Sequence, residues 1–353
     1  RVPRGTRSVP RGGLVAADGH GKNHPGAGTF GRHVESLTLR LAGRGGEPGE
    51  IVRCSRQERP ELFRATLGGM GLTGHVLEVA VRLERVPSPW IRAESERYPS
   101  LEPLLHGLDS ASREWPMTVA WIDCLARGRA MGRGILHRGR WAEPDEAPAE
   151  PPAAKPILPM PVELPSGVLS RPTVLAFNSL LWHRHPRRAR RGIVDPDGFF
   201  YPLDSIRGWN KMYGPRGFTQ YQCILPKPGA GAAARRFLEL LTGLSHLGGA
   251  SFLCVVKDCG EEGEGLLSFP RPGVSIALDV PMGERTQELV DRLNERVLDE
   301  GGRIYLAKDA LTRPEHFRAM EGERLERFQR VRREHDPEGR IRSAQSVRLM
   351  GDR

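Results

Sequence analysis

Six lysines occur in the 353 residues, at positions 22, 155, 211, 227, 257 and 308, and arginine supplies the other basic side chains. Of the two, only lysine can act as a base near neutral pH. Burial lowers an ammonium pKa, whereas a guanidinium stays protonated. Lys308 ends the run Tyr305-Leu306-Ala307-Lys308, directly after a strand-like Gly-Gly-Arg-Ile. If the strand turns there, Tyr305 and Lys308, three apart, reach one pocket. Gln220 and Gln222 are two apart in the strand-like run 218–225, which puts both amides on one face. Each amide supplies the donors and the acceptor that sugar hydroxyls require. General acid–base chemistry on a hydroxyl-bearing substrate is what these residue types can do together.

The segment GGLVAADGHGKNHPGAGTFGRHV (12–34) gathers seven glycines with His20, Lys22, Asn23 and His24. Glycine lets backbone N–H groups approach a ligand closely, and successive N–H groups in tight turns form anion-binding nests. The pattern is neither GxGxxG nor a P-loop, so neither of those mechanisms applies. His20 and His24 have no third ligand at a suitable spacing, so no metal is expected. The Arg-rich run 184–191 reads as a solvated loop or as a patch for phosphate or an anionic membrane. No RRM, KH or zinc-finger pattern accompanies it, and nucleic acid is not an expected partner.

These residues need a frame. SLTLRLA (36–42) and HVLEVAVRLERV (75–86) alternate as half-buried strands do, and PELFRATLGGMGL between them reads as a short helix ended by glycine. Eight prolines between 144 and 165 predict an extended connector or surface loop, and 183–192 reads as irregular. Strands are expected at 218–225, 251–257 and 274–280, and helices at 232–247, 285–302 and 314–337. This order predicts an α+β domain with an antiparallel sheet flanked by helices. The length allows two domains. A net charge of +10 suits anionic ligands or surfaces without choosing among them. Five cysteines without a CxxC argue against a disulfide framework and for reduced, cytoplasmic thiols.

Several segments together resemble one family. DGHGKNHPGAGTFG, ELFRATLGGMGLTGHV, FFYPLDSIRGWNKMYGPRGFTQYQCILP, LLSFPRPGVSIALDVP, GGRIYLAKDALT and RREHDPEGRIRSAQSVRL stand in the order found in FAD-linked oxidases. The likeness is to the vanillyl-alcohol oxidase / p-cresol methylhydroxylase type, most of all the decaprenylphosphoryl-β-D-ribose 2′-oxidases, and covers nearly the whole chain. It implies a PCMH-type FAD-binding domain at 1–88, a substrate or cap domain at 89–302, and a return to the FAD domain at 303–353. Gly5, Thr6, Gly12, Gly13, Ala17, Asp18 and His20 match positions lining the flavin, with Val76 beside its ring and Tyr305 and Lys308 between flavin and substrate. His20, Lys22, Gln220, Gln222, Lys257 and Ser275, and more weakly Trp121, match positions facing substrate.

The resemblance implies oxidation of a secondary alcohol of a sugar-type substrate, such as a pentose on a polyprenyl phosphate, by hydride transfer to flavin N5. An aldonolactone or alditol oxidase, or a binding module without flavin, are the alternatives. It also implies a reductase partner completing an epimerisation, and peripheral contact with the inner face of the membrane. By the same resemblance the family's pyrophosphate-binding segment would precede Arg1, from which weak FAD retention is expected. Where relatives carry Asn-Ile-Cys, this chain has Ser275-Ile276-Ala277.

Overall fold

The computed structural model describes residues 9–153 and 155–352. Two short helices, α1 (Arg11–Ala16) and α2 (His24–Ala27), flank the glycine-rich turn. A three-stranded antiparallel sheet follows, with β1 (Val34–Arg40) between β2 (Ile51–Ser55) and β3 (His75–Val81). Alternation sends Leu37 and Leu39 of β1 inward, and a register shift between Val34 and Ser36 lets Val34 join them, onto Val15, Val52, Cys54 and the helix α3 (Pro60–Thr66). After α3 the chain turns at Gly68, whose φ of +76° and 3.1 Å clearance to the Ser268 backbone nitrogen leave no room for a side chain. This close approach sets the small sheet against the rest of the molecule.

The larger sheet has eight strands. In chain order they are β4 (Ile91–Tyr98), β5 (Met117–Ile122), β6 (Gly134–Trp141), β8 (Arg190–Val194), β10 (Phe218–Pro226), β11 (Cys254–Cys259), β12 (Gly273–Pro281) and β13 (Arg303–Ile304). In space they run β13-β10-β12-β11-β5-β6-β4-β8, antiparallel at every pairing. A separate parallel pair joins β7 (Leu158–Pro159) to β9 (Ile206–Arg207). Helices α4 (Leu101–Glu114), α7 (Ala230–Gly243) and α8 (Thr286–Asp299) supply Leu104, Leu108, Phe237, Leu241, Leu289 and Leu293 to the core on one face. Alternate strand residues Cys223, Leu225, Ile276, Leu278, Val256 and Ala120 meet them there. The opposite face is left for polar side chains.

The C-terminal helices are α9 (Pro314–His335) and α10 (Ala344–Met350). Helix α9 breaks at Gly322, where φ is +46°. It is tied to α3 by a two-pronged Arg327–Glu61 bridge at 2.9 and 2.7 Å. The stretch expected to be irregular instead contains the end of helix α5 (Arg171–Arg184) and the start of edge strand β8. Ser170 and Thr173 close a capping box on α5, and Pro172 sits where a missing N–H costs nothing. The small α6 (Pro196–Phe200) follows, capped by Asp195. The third strand of the larger sheet's centre starts three residues later than expected, at Cys254, because Ser251 Oγ engages the Leu253 backbone in a turn. All five cysteines are buried and unpaired. Among the described residues, no helix is long and apolar enough to cross a membrane.

Candidate active site

Register decides which side chains face the cleft. Gln220 lies opposite Asp279, Gln222 opposite Ala277, and Lys257 opposite Ser275. Val255 pairs with both Ala277 and Trp121, and Val119 pairs with His137. Directly opposed residues share a face, so Gln220, Gln222, Lys257, Ser275, Asp279, Trp121 and His137 all stand on the face away from α4, α7 and α8. The glycine-rich segment crosses this face. Its Lys22 carbonyl accepts from the Thr118 N–H at 2.8 Å, and His24 Nδ1 accepts from the Gly260 N–H at 3.0 Å.

His20 sits at the junction. Its Nε2 lies 3.0 Å from Gln222 Nε2, and the same amide donates to Ser275 Oγ at 2.9 Å. Phe269 and Tyr305 close around the imidazole, with ring centroids 5.4 and 4.9 Å away. Burial, then the charges of Lys257, His24 and Lys308, hold His20 well below the ordinary imidazole range. It is neutral, and among the described residues Nδ1 has no hydrogen-bond partner; Gln222 Oε1 likewise has none.

The chain does turn after the short strand β13. A single 3₁₀ turn, Leu306–Lys308, follows Tyr305, and the Lys308 N–H donates to the Tyr305 carbonyl at 2.9 Å. The Tyr305 N–H donates to the Gln222 carbonyl at 2.8 Å, and its hydroxyl to the Ala17 carbonyl at 3.3 Å. One residue thus bridges the large sheet and the glycine-rich segment.

Lys22, Lys257 and Lys308 are half-buried, and none forms an ion pair among the described residues. Lys227, outside the cleft, instead pairs with Asp109 and Asp258 at 3.0 and 2.8 Å. Burial is the main cause of a lowered pKa in all three cleft lysines. Lys22 falls to about 7, helped by Lys257. Lys257 falls to about 8, helped by Lys308. Lys308 is lowered too, with Asp279 pulling it partly back. The Lys22 ammonium donates to the Phe199 carbonyl and lies over that ring, 5.0 Å from its centroid.

Other expected residues have different placements. Asp18 turns its carboxylate into the protein, accepting from the Gly31 N–H at 2.7 Å and from the Ser268 hydroxyl. Its φ is +40°, and burial raises its pKa. It clamps the turn that carries His20, and its side chain does not line the cleft. Trp121 spends its indole N–H on the Phe252 carbonyl at 2.9 Å. Val76 packs on the core of the three-stranded sheet, outside the His20 group. Gly12 and Gly13 belong to α1. Gly5 and Thr6 lie outside the described residues.

Three residues of this face escaped the sequence reading. Asp279 is 2% exposed, accepts from Gln220 Nε2 at 2.7 Å and from the Tyr213 hydroxyl at 3.1 Å, and has its pKa raised by burial. Tyr213 is the second. His137 is the third, lowered to about 4 by burial and by the charges of Lys22 and His185.

The arrangement fits the flavin implied by the sequence. Unpaired ammonium groups and the orphaned Nδ1 of His20 make a donor-rich, electropositive cleft, which suits a ring system that gains negative charge on reduction.

No protein-family model matches the chain. Its fold is shared with a variant of BBE-like 1 from Physcomitrella patens, at a TM-score of 0.63 and 14% identity, over 99% of this chain and 72% of that one. An uncharacterised Streptomyces coelicolor protein from the mprA 5′ region is 33% identical over 99% of this chain and 95% of its own length. Decaprenylphosphoryl-β-D-ribose oxidase of Mycolicibacterium smegmatis is 34% identical over 98% of this chain and 74% of its own length. With that extent of likeness, the chain belongs to the FAD-linked oxidase family of decaprenylphosphoryl-β-D-ribose oxidase.

Proposed function

We propose that this protein oxidises a secondary alcohol of a lipid-phosphate-linked pentose to the ketone. The observation that carries the reading is that Gln220, Gln222 and Lys257 share one sheet face, bordered by Lys22 of the glycine-rich segment and Lys308 of the turn after β13, with no ion pair to any of the three lysines among the described residues. The amides hydrogen-bond sugar hydroxyls. The lysines supply positive charge for a phosphate and a base for the reacting hydroxyl.

FAD, when bound near these residues, would supply a two-electron acceptor for the carbinol hydride. Lys308, in its neutral form, takes the hydroxyl proton at Nζ, so the carbon loses a hydride and the oxygen a proton as the C=O bond forms. Burial lowers its pKa and makes that neutral form available. Gln222 holds His20 and Ser275 in register, and Gln220, fixed by Asp279, orients the sugar. Tyr305 keeps the Lys308 turn docked on Ala17. The ketone leaves as the substrate for a reductase, whose action completes an epimerisation.

Anaerobic mixing of the FAD-loaded protein with a polyprenyl-phosphoryl pentose, a free pentose and an aldonolactone tests this. Flavin bleaching by the first at least tenfold faster than by the others is the expected result. Faster bleaching by the aldonolactone would transfer the assignment to that substrate class.

A further inference from the structure

The cleft face continues past Trp121 towards the β4–β8 edge, onto side chains that the redox chemistry leaves unused. Strand pairing sets Lys257 opposite Ser275, Val119 opposite His137, and Ser95 opposite both His137 and Arg190. The β11–β5 ladder, with Val256 opposite Ala120, brings Lys257 into line with Val119 and joins these pairs into one row across the sheet. At about 4.8 Å per strand, His137 stands about 10 Å along the row from Lys257. Its imidazole has no hydrogen bond and no ion pair among the described residues, so both ring nitrogens are free for a ligand.

The groups around His137 are fixed by their own partners. His185 Nδ1 donates to the Pro186 carbonyl at 3.0 Å, which leaves its Nε2 to accept from the Ser95 hydroxyl at 2.8 Å. Arg97 donates to the Trp182 and His185 carbonyls at 3.3 and 3.2 Å. Phe199 of α6 lies on Gly139, two residues along β6 from His137, where a Cβ would meet its ring at 2.7 Å. Lys22 reaches in from the crossing glycine-rich segment. Its ammonium spends one hydrogen on the Phe199 carbonyl and keeps two. The nearby acids Glu94 and Glu96 belong to the opposite face, where Arg138 and Arg191 take them. Among the described residues, no carboxylate pairs with Lys22, Lys257, Arg97, Arg190, His137 or His185.

We propose that His137 and Lys22 form a subsite for a phosphate diester, and that His137 sets the preference for a phosphorylated over a free sugar. Donors arrive from the sheet below and from the crossing segment above, which suits a tetrahedral anion better than a flat carboxylate. The ammonium supplies the charge, and the imidazole N–H a directed hydrogen bond. The Phe199 ring offers an apolar wall to the ester carbons. The spacing of about 10 Å from Lys257 leaves room for a sugar ring between the two. For the source of the phosphate this rests on the substrate proposed above; the site itself stands on register and side-chain geometry.

The test uses the full chain without added flavin, labelled with carbon-13 in its histidine rings, and diethyl phosphate, a diester whose single charge is constant near neutral pH. The His137 signal, identified by its loss in His137→Gln, is expected to shift on addition of the diester and to stay in place with uncharged triethyl phosphate. His137→Leu is expected to weaken diester binding about tenfold or more, while His137→Gln, which keeps an N–H donor, stays within about threefold of the parent. Binding should weaken as pH rises past 7, where Lys22 loses its proton. A His137 signal that the diester leaves in place, or equal affinity in the parent and His137→Leu, overturns the inference. With FAD bound, His137→Leu should raise the KM for a polyprenyl-phosphoryl pentose at least tenfold more than the KM for free pentose. Equal increases would overturn the substrate as the source of the phosphate. A parent that binds the diester, but whose flavin no pentose reduces, would instead count against the redox assignment and support the subsite.

Discussion

His20 and Gln222 meet Nε2 to Nε2 at 3.0 Å on the cleft floor, joining the glycine-rich turn to the centre of the large sheet. With the amide oriented as the hydrogen-bond network assigns it, both amide hydrogens are used, one on His20 and one on Ser275. The imidazole is then an acceptor at Nε2 and carries its hydrogen on Nδ1, which has no partner among the described residues. The junction is therefore locked on its protein side and unsatisfied on its cleft side, as a site awaiting a ligand should be.

Gln222→Leu removes this lock without changing the volume greatly. It is expected to destabilise the protein by about 1–3 kcal/mol, because the His20 acceptor and the Ser275 hydroxyl lose their shared partner in a buried place. Urea denaturation measures the loss. A variant as stable as the parent would mean that the contact does not hold the two segments together.

Lys308→Ala should slow substrate-driven flavin bleaching by about 10² or more, with FAD still bound. Lys308→Arg should not restore the rate, since a guanidinium cannot accept the proton. Tyr305→Phe should cost less, because the ring packing on His20 and Phe269 is kept. Anaerobic stopped-flow absorbance decides it. An alanine variant reducing flavin at the parent rate excludes Lys308 as the base.

Asp279 offers a different handle. Its negative charge favours the protonated form of Lys308. Asp279→Asn removes that support, so the Lys308 pKa falls further. The alkaline-rising limb of the reduction rate should then move to lower pH. A limb that stays in place, or moves to higher pH, would separate Asp279 from the titrating group.

The buried lysines also make stability depend on pH. Lys22 titrates at about 7 in the folded chain, against an ordinary value of 10.5. Between those values the unfolded chain holds a proton that the folded chain lacks, so unfolding takes one up and stability rises with pH. The penalty from charging Lys22 in its buried place is complete below pH 7. Urea midpoints should therefore climb from pH 7 to pH 9.5, and Lys22→Met should flatten the climb. An equal slope in the variant would show that Lys22 is not the source.

The elements that position the site were legible where one side of a strand is polar. Gln220 and Gln222 break an apolar run at alternate positions, and the structure shows both on the cleft face. Strand β5 could not be recognised this way, since Met117 to Ile122 are buried on both sides and show no alternation. Helix α5 was hidden for a related reason. Its outer side is as apolar as its inner one, which erases the helical period that a buried stripe normally leaves. Lys257 and Lys308 stood out because lysine is scarce and because the family resemblance pointed to them. Asp279 did not, although it is the lone acid in the run Val274-Ser275-Ile276-Ala277-Leu278-Asp279-Val280, and a charge in so apolar a strand was the signal available. His137 lies between Leu136 and Arg138, and only strand register brings it to the cleft.

The division of β10 and β12 between helices and cleft also bears on how this protein can change over time. Cys223, Leu225, Ile276 and Leu278 are held by the core, while their neighbours Gln222, Ser275, Ala277 and Asp279 meet the cleft. Heredity can therefore alter every second codon of these strands to explore new substrates while leaving the packing codons untouched. A saturation library across 273–281 should show tolerance rising and falling with a period of two, in antiphase for folding and for substrate choice.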